Sequence, residues 1–416
     1  MAKEKKEKAP ILASKRVKII ILVCMAVIAF FAGLEFYQLR HYKEVFVASD
    51  ELTEVKWLSD YLPEMKGNWF DTPIYVFDSG VEGGSVFIMG NVHPYEPASS
   101  ITCYIMLENI HVEAGKVFIM PQGNYSGSTM GSTGGAYPKY VTVKTEWGEQ
   151  KYRIGARESN PLDQWPDPFT YVHYPSGQNL AYQDIRNMNR TYPGRADGTP
   201  TEMASYAIME LLRKENIDIA IDIHEASIMY PVVGTYVAPD KSLAIAGYAA
   251  MSLSEYFNMK YEASPKSLRG LSHREWGDYS QALPFLMETP EPFIDRITGP
   301  ITEQFMLEGK DEFLAKASEK GLTYVPYDLE EGQPMWYRVG RHLSGAAEAI
   351  AWTAYFYPEK YVEVEWPLFE DIQANGLGYY LHDPDAPENA SKVQVVYHKP
   401  AAYNRTSEAL EKAFKH

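Results

Sequence analysis

Residues 85–100 read SVFIMGNVHPYEPASS, and this stretch decides the fold class. Ser85 to Met89 is an apolar run stopped by Gly90, which reads as a buried strand. The polar turn after it carries His93 and Glu96, and ASSITCYIMLENI (98–110) then spaces its apolar residues as a helix does. A second apolar run, KVFIMP (116–121), follows that helix. Strand, helix, strand is the right-handed crossover unit of a mostly parallel sheet. The pattern returns downstream: EMASYAIMELLRKEN reads as a helix, IDIAIDIHEA as the buried strand after it, and LPFLME (Leu283 to Glu288) as a further strand. Such alternation predicts an α/β domain, here spanning about residues 74–325.

Toward the N-terminus the texture changes. Ile19 to Leu34, IIILVCMAVIAFFAGL, carries no charge, and Val17 and Phe36-Tyr37 extend the apolar run while Lys18 and Glu35 can reach the interfaces. Residues 19–37 are therefore expected to form a transmembrane anchor. Lys3, Lys5, Lys6, Lys8, Lys15, Arg16 and Lys18 make segment 1–18 basic, which would keep it cytoplasmic and put the rest of the chain outside. A cleaved signal peptide is the competing reading, but Ala29-Phe30-Phe31-Ala32 places bulky residues where a small-x-small cleavage site needs small ones.

Residues 38–73 read as a linker, with a polar, mixed helix running from about 35 to 60. Gly123 to about Pro175, rich in Gly, Ser, Tyr and Pro, has no clear period and reads as a functional loop or an insertion. Residues 326–416 offer a helix (GAAEAIAWTAYFY) and two alternating stretches, YVEVEW and KVQVVYH. They form either a β-rich appendage or a last layer of the main domain.

A chain of 416 residues can bury a full-sized core, and a formal net charge of -16 argues against nucleic-acid binding, which needs a basic face. Cys24 and Cys103 supply no disulfide framework.

Four short segments carry chemistry. In the first, His93 and Glu96 stand three apart where a strand's carboxyl end turns into a helix, so both side chains can converge on one ion; a plain helix start favoured by the dipole would look the same. In the second, His224 ends an apolar strand. Two histidines and one carboxylate, with one position left open, is the ligand set of catalytic zinc. Asp222, two residues earlier on the same strand face, is either the acceptor that fixes an imidazole tautomer or a strand-end charge. Glu225 would point to the other face and stays outside the ligand set. In the third, DIRNMNRTYPG, Asn189 and Arg190 set an amide beside a fork of donors suited to a carboxylate. In the fourth, Glu288 ends an apolar strand, where burial would raise its pKa toward the range useful for proton transfer.

Taken together, HPYE, NMNRTYPG, IDIH and METP resemble the zinc carboxypeptidase superfamily, above all its succinylglutamate desuccinylase and aspartoacylase branch. The resemblance runs from about Ile74 to Pro290. It implies an α/β fold with a central mixed, mostly parallel sheet flanked by helices. It also implies Zn²⁺ on His93, Glu96 and His224, catalysis by Glu288, and a substrate carboxylate held by Asn189 and Arg190. The family usually has Asp two residues before its Asn-Arg pair, where this chain has Asn187. It also has an arginine that polarises the scissile carbonyl; Arg186 is near, and Arg153 and Arg157 lie upstream. The expected function is a membrane-anchored zinc amide hydrolase, a deacylase or carboxypeptidase, acting on an N-acyl amino acid or peptide that bears a carboxylate. The alternative is a non-catalytic peptide-binding module at the cell surface. A Gly-x-Ser-x-Gly elbow, which a metal-independent α/β hydrolase would carry, does not occur.

Overall fold

The computed structural model describes residues 14–131, 137–296 and 298–397. The lysines expected to flank the anchor at positions 3, 5, 6 and 8, and the last residue of KVQVVYH, lie outside them.

Two units make up the chain, residues 1–42 and 43–416. Within the first, helix α1 (Lys15–Arg40) has 26 residues, a length of about 39 Å at 1.5 Å per residue. Its side chains from Ile19 to Tyr37 are exposed and almost all apolar. It is long and apolar enough to cross a membrane.

The second unit is built on one eight-stranded sheet. Its strands in chain order are β1 (Glu54–Trp57), β2 (Pro73–Asp78), β3 (Ser85–Met89), β4 (Lys116–Met120), β5 (Ile219–Ser227), β6 (Thr235–Ala238), β7 (Lys260–Ala263) and β8 (Leu283–Glu291). They lie side by side as β7-β6-β8-β5-β3-β4-β2-β1. The middle four, β8, β5, β3 and β4, are parallel; β6, β2 and β1 bring antiparallel pairings, so the sheet is mixed. The crossover read in the sequence is present: helix α2 (Pro97–Asn109) joins β3 to its parallel neighbour β4.

Burial explains the apolar runs. All five residues of β3 and all nine of β5 are buried, as expected of strands covered on both faces. One layer contains α2 and the long helix α6 (Met335–Phe356), with Ile101, Ile105, Val339, Leu343 and Ala346 packed around Ile88 and Ile221. On the other, α3 (Pro200–Lys214) and α5 (Ser272–Tyr279) close over Phe87, Met89 and Ala220. Helix α3 is started by a capping box, Thr199 with Glu202, and Pro200 at its first position. Helix α4 (Asp240–Ser252) joins β6 to β7.

The helix expected over residues 35–60 is not what forms. α1 stops at Arg40, Glu44–Val47 pairs with Val393–Val396, and Glu54–Trp57 adds an edge strand to the main sheet. These short stretches take their conformation from partners distant in sequence, which local pattern does not reveal. In the loop beginning at Gly123, a hairpin forms from Tyr140–Thr145 and Gly148–Arg153.

Candidate metal centre and its cavity

The centre sits where β5 outruns its neighbour. The β5–β3 pairing ends at Asp222 opposite Met89, and two residues on, His224 faces the turn that follows β3. That turn carries His93 and Glu96, the latter at the start of α2.

One ligand atom from each of His93, Glu96 and His224 lies within 4.8 Å of the other two, and all three residues are buried. Glu96 stands between the rings: Oε1 is 2.8 Å from His93 Nδ1 and Oε2 is 3.1 Å from His224 Nδ1. The outward nitrogens are engaged as well, His93 Nε2 with Asn187 Oδ1 at 3.0 Å and His224 Nε2 with Asp222 Oδ2 at 2.9 Å. Acceptors behind both rings fix their tautomers, the support that metal-bound imidazoles require. With Nε2 protonated on each ring, both Nδ1 lone pairs aim at a carboxylate, an arrangement that a cation or a proton must hold together. Ligand atoms about 3.4 Å apart are expected for bonds of about 2.1 Å in a tetrahedron, so a small shift accommodates the ion. The residues therefore fit a divalent metal.

The charges follow from the geometry. Burial opposes ionisation of Glu96, yet the two imidazoles outweigh it and pull its pKa down to about 2. Burial disfavours the His224 cation, but Asp222 and Glu96 overcome it and hold its pKa well above the usual histidine value. His93, with a neutral amide behind it, is dominated by burial, and its pKa falls. A metal ion held by these three residues would compete with protons for the same imidazole nitrogens.

A cavity of about 720 Å³ opens over this group, lined among others by Asn189, Arg190, Arg157, Glu288 and His273. Glu288 is directly opposite His224 on the neighbouring strand β8. Its Oε2 is buried without a partner, and burial, only partly offset by His224, raises its pKa well above the carboxylate range. Asn189 is fixed by the Ser272 N–H, which donates to its side-chain oxygen at 2.9 Å. The Arg190 backbone is clamped by Gly270 (φ 85°), where a Cβ would come within 2.1 Å of the Arg190 carbonyl oxygen.

Arg186, expected from the sequence to bind substrate together with Asn189 and Arg190, is engaged elsewhere. Its Nε donates to both oxygens of Asp167, at 2.8 and 3.0 Å, and Nη1 donates to the Ser159 carbonyl, so the guanidinium fastens a loop and does not line the cavity. Arg153 is likewise internal, paired with Glu44 and stacked on Tyr125. Of Arg153, Arg157 and Arg186, it is Arg157 that lines the cavity, and its Nε is buried without a partner. It arrives through Gly155, whose N–H donates to Pro94 O at 2.8 Å; a Cβ at Gly155 would meet Pro94, Gly127 and Ser128 at 2.5 Å. Burial and the nearby Arg157 both lower the Arg190 pKa, so two cations compete for one space.

Glu225 takes no part in the ligand group. Its carboxylate pairs with buried Arg338 from α6 and accepts the Ala98 N–H at 2.7 Å, while its own N–H donates to Glu96 at 3.0 Å. It braces the metal turn from behind.

No family model and none of the curated proteins matches the chain. Solved structures similar to it include the ectoine utilization protein EutE from Ruegeria pomeroyi, at 19% identity over 52% of this chain and 52% of that one, with a TM-score of 0.32. A succinylglutamate desuccinylase/aspartoacylase from Rhodobacter sphaeroides follows at 15% identity, covering 59% and 57%, with a TM-score of 0.34. A metallo-carboxypeptidase from Burkholderia cenocepacia has 12% identity, covers 79% and 68%, and gives a TM-score of 0.43. The chain spans about half the length of the first of these relatives.

Proposed function

We propose that the protein is a zinc-dependent amide hydrolase, anchored in a membrane by α1, that acts on an N-acyl amino acid or a peptide bearing a carboxylate. The observation that carries this reading is the convergence of His93, Glu96 and His224 beneath a cavity that also receives Glu288 and Arg190. Nitrogen and oxygen donors in a three-residue set suit zinc and leave a position open. A zinc ion held there would polarise a carbonyl and lower the pKa of water toward about 7.

The chain's own groups do the rest. Glu288, held above the ordinary carboxylate range by burial, takes a proton from the attacking water and delivers it to the departing nitrogen. Asn189 and Arg190 hold the substrate carboxylate, and Arg157 adds a second positive charge in the same cavity. Tyr95 and Tyr137, with ring centroids 6.0 Å apart, form an aromatic wall of the same cavity. The basic flank of α1 supports a cytoplasmic N-terminus with residues 43–416 on the outer side.

The test is metal analysis of the full chain purified in detergent, followed by a screen of N-acyl amino acids and short peptides. One zinc per chain and turnover confined to substrates with a free carboxylate are expected. A metal-free protein without turnover would overturn the reading, and tight peptide binding without turnover would favour the binding module.

A further inference from the structure

A second cavity, of about 710 Å³, lies away from the metal centre, with the first turns of α6 in its wall. Its lining includes Phe257, Trp336, Tyr337 and Phe369, which pack edge to face and tilted against one another, with Phe257 and Phe369 centroids 5.2 Å apart and Trp336 and Phe369 5.9 Å apart. Aromatic walls of this kind accept flat or ring-shaped bodies. Two charged groups line the same space, the exposed Glu331 and the buried Arg341. Arg341 is 4% exposed, and among the described residues no carboxylate lies within ion-pairing distance of it.

A buried guanidinium usually comes with an anion, because taking the charge out of water is costly. The rings of Phe257 and Tyr337 lie 4.6 and 5.7 Å from the guanidinium carbon and cover its faces. They do nothing for its edge, which carries five N–H donors. Only two contacts are made there, to the Tyr337 hydroxyl at 3.3 Å and to Met259 Sδ at 3.4 Å, and Nε has none. Gln333, in the same lining, also has a buried side-chain oxygen without a partner. The guanidinium edge therefore presents unsatisfied donors beside an aromatic wall.

We propose that this cavity binds a small organic anion with a ring-shaped body, its carboxylate or phosphate on Arg341 and its ring against Trp336 and Phe369. The site is separate from the metal centre and does not depend on how that centre is read.

Phenylacetate, phenyl phosphate and the neutral phenylacetamide are the probes, titrated into the full chain in detergent by calorimetry and tryptophan fluorescence. Saturable binding of at least one anion is expected, with phenylacetamide at least tenfold weaker; the stronger anion identifies the head group. Arg341→Gln is expected to weaken binding at least tenfold, while Arg190→Gln, in the other cavity, leaves it unchanged. Binding lost in Arg190→Gln but kept in Arg341→Gln, equal binding of phenylacetamide, or no saturable binding at all overturns the proposal. Should Arg341→Gln fail to fold, Trp336→Phe decides. Loss of the fluorescence response with binding retained supports the site, and a response that persists overturns it.

Discussion

His224 and Glu288 face each other across the same rung of two adjacent parallel strands, β5 and β8. The sheet's own spacing therefore fixes the separation of a candidate metal ligand and a candidate proton carrier. Glu288→Gln keeps the shape and removes the titration. It is expected to cut kcat by about 10²–10⁴-fold, with metal content and substrate binding retained. Single-turnover kinetics beside metal analysis checks this; undiminished hydrolysis removes Glu288 from the reaction.

Asp222 holds the far nitrogen of His224 and also accepts from the Ser272 hydroxyl. Asp222→Ala frees the imidazole to turn, and metal affinity is expected to fall by about 10–100-fold. Competition with a chelator of known affinity measures it. Chelation of the parent protein should abolish turnover, and added zinc should restore it.

Arg157 and Arg190 line the metal cavity, whereas Arg186 is tied to Asp167. Replacing either of the first two by Gln should raise KM at least tenfold for substrates with a free carboxylate and much less for their methyl amides. Arg186→Gln should lower thermal stability and leave that preference intact. A carboxylate preference that depends on Arg186 alone would reverse the assignment.

Two buried histidines set an acid limit on stability. His273 is held down to about 3 by burial, with His224 and Arg190 adding to it, and His342 is held down to about 3 by burial and Arg341. In the unfolded chain both titrate near 6.5. Between these values the unfolded state binds more protons, so stability is full above about pH 6.5 and declines as pH falls toward 3. The loss is on the order of a few kcal/mol per histidine. Urea unfolding at pH 7, 5 and 4 should show the decline, and His342→Gln should make it shallower; an unchanged slope would exclude His342 as a source.

Glu225 and Arg338 form an ion pair with both side chains fully buried. Arg338→Met strands the carboxylate and should destabilise the protein by about 3–5 kcal/mol, much of it recovered in the double variant with Glu225→Leu. Denaturant midpoints of the two single variants and the double one give the coupling.

Much of the scaffold was legible because β3, β5 and β8 are covered on both faces, and such strands must be continuous apolar runs. His93, Glu96 and His224 were visible for a related reason, being polar residues where those runs end. Arg157 was not. It lies in a long irregular segment, and only the close approach of Gly155 to Pro94 brings it beside the metal turn. Arg186 has the more suggestive position, beside the Asn-Arg pair, but Asp167 claims it. The strands at Glu44–Val47 and Glu54–Trp57 were hidden because their hydrogen-bonding partners are set by the tertiary fold.

A single carboxamide oxygen, Asn187 Oδ1, receives both His93 Nε2 and the Asn189 N–H, each at 3.0 Å. It works as a shared pivot between the arm that would grip the ion and the loop that would grip the carboxylate. Pulling on one strains the other, so the two halves of the centre cannot be tuned independently. Loop changes around Asn189 should surface first as altered metal retention, long before the substrate is in contact.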